Sequence, residues 1–212
     1  MIAYKFLCAG GLGPFSRYAW PLPRDGAPGA WVVAPRDAVL CQTAVHGCRV
    51  ADLPWWLQDE LWEAEFDGEV RAGRHKIMAP QARLLRRIEG WDRACAQRFA
   101  DACARRARDH AAVALDRAGA AGGAAELRER TAIREIRDAV RAIDPPEPAR
   151  IPVMMAGDAA RRALGGAAVV TAYIAAHAAA RVDGAQAMAA ERAWQSEWLR
   201  AELRLRRPNT HP

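Results

Sequence analysis

Cys41, His46 and Cys48 fall within eight residues of one another, and two thiolates with an imidazole are a donor set that zinc accepts. Their spacing, C-x4-H-x-C, is unlike the C-x2-C knuckles of structural zinc, so a fourth ligand has to come from elsewhere, with Cys8 and His75 available. On an extended segment His46 and Cys48 point to one face and Cys41 to the other. The pattern therefore favours a buried structural histidine over a metal centre. Glu60, Glu63 and Glu65 surround Trp62. Paired carboxylates can do acid–base work, but on a strand Glu63 and Glu65 read first as a solvated edge. Gly10, Gly11 and Gly13 have the composition of a phosphate cradle, yet no Lys-Ser/Thr comes after them and no helix opens there, so a plain loop is expected.

The charge balance is +6, and the basic residues are nearly all arginine, with only Lys5 and Lys76 as lysines. The densest basic zone is Arg83, Arg86, Arg87, Arg93, Arg98, Arg105, Arg106 and Arg108. On a helix these side chains would surround the axis without forming one stripe, and the nearby aromatics are not interleaved for base stacking. A solvated Arg–Glu surface is the first reading. Nucleic-acid contact through Arg83, Arg86, Arg87, Arg105 and Arg106 is the alternative. Five cysteines without a basic leader or cleavage pattern lead to the expectation of a reducing cytoplasm. The alanine-rich stretch 163–180 is broken by Gly165, Gly166 and His177 and lacks the leucine and isoleucine density of a membrane span, so no membrane partner is expected.

The elements that must position these residues divide unevenly. Six of the eight tryptophans (Trp20, Trp31, Trp55, Trp56, Trp62 and Trp91) precede residue 92, and the rest of the chain is rich in alanine and arginine. This predicts an α+β protein: a Trp-rich mixed head with a β-sheet over 1–91, then a helical bundle over 92–212 with a proline linker at 144–148. In the head, Ile2–Leu7 reads as a first strand and Trp31–Ala34 as a second, with Val39–Arg49 extended. Asp52 caps a helix over about 53–60. Trp62, Ala64 and Phe66 alternate with acids as a half-buried strand, and Asp67-Gly68 signals a hairpin with its return at Glu69–Arg71. Residues 76–88 fit either a helix or a final strand. In the tail, Trp91, Cys95, Phe99 and Cys103 mark one apolar face of a helix reaching about 118. Cys95 and Cys103 lie two turns apart, too far to bridge. Gly119–Gly123 breaks the chain, and further helices are expected over about 124–143, 156–181 and 186–206, the last two separated near Asp183-Gly184.

The head motifs, Val45-His46-Gly47-Cys48-Arg49 with Asp52-Leu53-Pro54 and Leu61-Trp62 after them, resemble a family of uncharacterised actinobacterial proteins with a G-V-H-A-C-R-like core. The chain departs from that pattern at Ala44 and Gly47, where glycine and alanine have exchanged places around the histidine. The stretch Glu191-Arg192-Ala193-Trp194-Gln195-Ser196-Glu197-Trp198-Leu199 is similar to the same family's ending. More distantly, the head resembles a phage-associated domain with a G-F-H-A-C motif. More distantly still, it is similar to the central part of ADP-ribosyltransferases of the poly-ADP-ribose polymerase type. That last resemblance implies an NAD cofactor and a nicotinamide pocket lined by residues from His46 to Trp56. Trp55 or Trp56 would stand in for a stacking tyrosine, and Lys76 would be a further ligand contact. Glu65 and Glu69 are the acids near the place of the late glutamate. Tyr4-Lys5-Phe6 supplies no histidine to grip the ribose.

Three functions are thus open. The first is a non-catalytic binding or accessory module without a cofactor, with a protein partner or self-association through the helical tail. The second is an ADP-ribosyltransferase-like enzyme with His46 in its pocket. The third is a nucleic-acid-associated protein.

Overall fold

The computed structural model describes residues 1–35 and 44–206. The fold is α+β. It divides into two compact units: Met1–Arg93 together with the closing segment from Leu199, and Ala94–Trp198.

The first unit is built on two antiparallel sheets. The larger has the order β1-β4-β7-β2, with β1 at Ile2–Leu7, β2 at Val32–Val33, β4 at Glu60–Asp67 and β7 at Gln81–Arg87. The smaller has the order β3-β6-β5, with β3 at Val45–Gly47, β5 at Arg71–Ala72 and β6 at Ile77–Ala79. A single bridge between Tyr4 and Cys48 ties β1 to β3. Alternation along β4 sends Trp62, Ala64 and Phe66 into a core completed by Leu7, Trp20, Val45, Ile77 and Leu84. Phe66 is fully buried, and its ring lies where a side chain at position 47 would stand: a Cβ on Gly47 would meet Phe66 Cζ at 2.2 Å. The glycine in the His46 motif is therefore a packing requirement of this core.

Several expectations change here. Residues 53–60 do not form an α-helix. A 3-10 helix spans Val50–Trp55, and Glu60 already belongs to β4. Pro54 removes a backbone donor inside that short helix. Asp67-Gly68 does not fold β4 back on its neighbour in sequence. The strand paired to β4 is β7, with Asp67 opposite Gln81, while Arg71–Ala72 pairs with β6 in the other sheet. Residues 76–88 resolve into two strands, β6 and β7. Nor is β4 a solvated edge. It lies between β1 and β7, and Glu63 on it is buried.

The second unit is helical, formed from α1 at Arg93–Arg117, α2 at Ala121–Glu129, α3 at Ile133–Ala142, α4 at Glu147–Leu164 and α5 at Ala168–Glu202, with Arg93 and the last residues of α5 from Leu199 belonging to the first unit. The α1 face marked by Cys95, Phe99 and Cys103 is buried, and it continues through Ala107, Ala111 and Ala114. Alanine also supplies the buried face of α4 through Ala149, Ala156, Ala160 and Ala163, so neighbouring backbones can approach closely. The chain breaks only at 118–120, and Gly122 and Gly123 open α2 instead of prolonging the gap. The helix expected over 124–143 is split at 130–132. Pro148 lies in the first turn of α4, where a missing N–H is harmless, so the linker is shorter than expected. Gly165 and Gly166 divide the stretch read as one helix over 156–181. Asp183 and Gly184 interrupt α5 as the sequence suggested, with Gly184 at φ 75°. Arg117 holds that break, donating to Val182 O at 2.9 Å and to Asp183 Oδ1 at 2.7 Å. Among the described residues no helix is long and apolar enough to cross a membrane.

Candidate functional site

The residues singled out in the head gather where β3, the 3-10 helix and the β5–β6 turn meet. His46 sits on β3 opposite Met78. Its carbonyl accepts a hydrogen bond from Lys5 Nζ at 2.7 Å, and its Nε2 is buried with no hydrogen-bond partner among the described residues. Burial first, and then the positive charges of Lys76 and Lys5, push the His46 imidazole down to about 4, so the ring is neutral at ordinary pH. Lys5 lies 4.5 Å from the centre of the Trp20 ring, and burial lowers its amine to about 8. Cys48 is buried, and its thiol donates to Tyr4 O at 3.4 Å. Burial drives that thiol far up, against a smaller pull from Lys5, which makes it an inert core cysteine. Cys41 lies outside the described residues. Among the described residues no group of three or more His, Cys, Asp or Glu is arranged to hold a metal ion.

Around this point the aromatic side chains form two pairs joined by one hydrogen bond to the backbone. Trp55 stacks on His75 with centroids 4.0 Å apart. Trp56 Nε1 donates to His75 O, and the exposed Phe15 meets the Trp56 ring edge-on at 6.3 Å. Arg49 anchors the 3-10 helix through Asp52, at 2.6 and 3.1 Å, and reaches Gly73 O at 3.5 Å. Lys76 closes the 73–76 turn, its carbonyl accepting from Gly73 N–H at 2.8 Å. His46, Trp55, Trp56 and Lys76, each singled out from the sequence, thus share one neighbourhood.

The acids are placed differently. Glu65 pairs with Arg83 at 2.7 Å and Glu63 with Arg86 at 2.5 Å, as rungs between β4 and β7. Glu69 is exposed and pairs with Arg71. Glu60 is held by the glycine run: Gly10 N–H and Gly11 N–H donate to its carboxylate at 3.0 and 3.2 Å, and Trp62 Nε1 adds a third bond at 3.0 Å. Gly10 and Gly11, both at positive φ, do form an anion-binding nest, and its anion is the protein's own carboxylate.

The arginines considered for nucleic acid do not share one helix. Arg83, Arg86 and Arg87 lie on β7, where Arg83 also covers the Trp31 ring at 4.6 Å and Arg87 approaches Glu60 at 3.7 Å. Arg105 and Arg106 lie on α1, donating to Thr131 O at 3.1 Å and to Glu191 at 2.5 Å.

Glu191 is the centre of a polar cluster that sequence reasoning missed. Its carboxylate, buried in the helical unit, receives Arg106 at 2.5 Å, His110 Nε2 at 3.2 Å and Gln195 Nε2 at 3.3 Å. Gln195 also donates to Ala172 O at 3.0 Å and accepts from Arg192 at 3.0 Å, and Arg106 lies over the Trp194 ring. Burial pulls the Glu191 carboxyl upward, but the hydrogen bonds from His110 and Arg106 outweigh it and hold the group ionised. The signal was the i, i+4 spacing of Glu191 with Gln195 and of Arg192 with Ser196 in the tail motif.

No family model matches the chain, and no curated protein or solved structure is similar to it.

Proposed function

We propose that the chain is a non-catalytic binding module whose first unit offers an aromatic shelf to a protein partner. The supporting observation is a contrast within the head. Glu60, Glu63, Glu65, Lys5 and Cys48 are all engaged in internal hydrogen bonds or ion pairs, whereas the pairs Phe15–Trp56 and Trp55–His75 are half-buried or exposed, with Phe15 83% exposed. Neighbouring aromatic side chains that remain partly accessible are the usual anchors of protein interfaces. Self-association through the tail is a second partner reading, favoured by Val169, Val170 and Tyr173, which stand exposed on α5.

The test compares the full chain with Phe15→Asp. The variant should keep its melting temperature and fail to capture a protein partner that the wild type retains in a pull-down. Retention of that partner would remove the shelf from the interface. NAD in large excess distinguishes the ADP-ribosyltransferase-like reading, with its nucleotide pocket near His46. A rise in melting temperature that His46→Ala abolishes would favour that enzyme over a binding module.

A further inference from the structure

The helical unit contains a cleft lined, among the described residues, by its own helices and one connection. It lies between α3 and α4, with Ile143 and Pro145 of their connection in its lining, and has a volume of about 370 Å³. We propose that this cleft binds a phosphorylated small molecule of mononucleotide size, its phosphates held by arginines at the rim and its ring laid on an apolar floor.

The rim carries Arg137 and Arg141 from α3 and Arg150 and Arg161 from α4, against one lining acid, Asp158. All four basic groups are guanidinium forks, whose planar donor pairs match phosphate oxygens. Three of them rest on acids of their own helix: Arg137 on Asp138 at 2.8 Å, Arg150 on Glu147 at 2.9 Å and Arg161 on Asp158 at 2.8 Å. Pairs as exposed as these contribute little and exchange readily for a multivalent anion. Arg141 has no ionic partner among the described residues.

The floor is formed by Val140, Ile143, Val153 and Met154. Met154 is 57% exposed, a large adaptable apolar side chain lining the same cleft as these arginines. Gly157 shapes the floor, since a Cβ there would meet Val140 Cγ1 at 2.8 Å. The volume falls at the lower end of the range for small-ligand sites. Fork donors beside an apolar floor favour a phosphorylated molecule with a ring over a bare phosphate.

The test is calorimetric titration of the full chain with ADP, pyrophosphate and adenosine, at low and moderate salt. ADP should bind, each fragment should bind at least about tenfold more weakly, and salt should weaken ADP. The double variant Arg141→Gln with Arg150→Gln should lose about tenfold or more in ADP affinity at unchanged melting temperature. Met154→Asp should abolish binding, and Arg24→Gln, in the other unit, should leave it intact. No heat with millimolar ADP would overturn the proposal, as would undiminished binding in the double variant and in Met154→Asp. An acidic amphipathic peptide that binds where ADP does not would replace it with a protein-docking groove. Phe15→Asp should leave ADP binding unchanged, so this cleft and the aromatic shelf stand or fall separately.

Discussion

The two units solve the packing problem by opposite means. In the sheet unit one large ring, Phe66, fills the space opened by the missing side chain at Gly47, and further rings such as Trp20 and Trp62 complete the core. In the helical unit methyl groups along α1 and α4 let backbones close on one another, and orientation is supplied by a buried polar cluster around Glu191. A core of few large pieces is vulnerable to deletion. A core of many small pieces is vulnerable to enlargement, and to the loss of whatever polar contacts fix its register.

Substitutions can break this comparison, and the first aims at the largest effect. Phe66→Ala should cost about 3–5 kcal/mol in denaturant unfolding, because the cavity it leaves is lined by sheet residues that cannot all collapse. Tryptophan fluorescence, dominated by the head, should shift to lower denaturant while the far-ultraviolet helical signal stays. If both transitions move together, the two units unfold as one and the contrast fails. The next test is Glu191→Ala, which should cost about 3 kcal/mol by leaving Arg106, Gln195 and His110 without their shared acceptor. Here the helical signal should move first; a change confined to fluorescence would mean that alanine packing alone sets helix orientation.

A smaller effect comes from pH. The His46 imidazole titrates at about 4 in the folded chain, against roughly 6.5 when unfolded. Between those values the unfolded chain holds a proton that the folded chain lacks, so stability falls as pH drops from about 6.5 to 4. The half-buried ring should account for about 1–2 kcal/mol of that loss, measured as unfolding free energy against pH. His46→Gln should flatten the slope over that interval. An unchanged slope would show that the imidazole is solvated in the fold.

The sequence was most informative where a pattern is local. The bounds of β1, the apolar face of α1 and the break at Asp183-Gly184 come from alternation, periodicity and turn chemistry within a few residues of each position. It was least informative where pairing is remote. Asp67-Gly68 carries the turn signal of a hairpin, yet the strand opposite begins at Gln81, and no local rule names that partner. The candidate sites divide along the same line. His46, Trp55 and Trp56 lie within ten positions of one another, whereas Lys76 joins them only through the pairing of β3 with β6. Glu63 and Glu65 turn out to be rungs of an ion ladder, because their arginines lie some twenty residues downstream. The Glu191 cluster joins residues eighty or more positions apart, so its motif could be seen while its chemistry could not.

The carboxylate of Glu60 seated in the Gly10–Gly11 turn has a consequence for assembly order. Those two amides acquire their acceptor only once a strand fifty positions later has been laid beside the first, so the turn cannot mature ahead of the sheet's middle. An N-terminal fragment ending before residue 60 would lack the group that organises its own loop, and adding a dilute free carboxylate would be a poor substitute for one tethered in place.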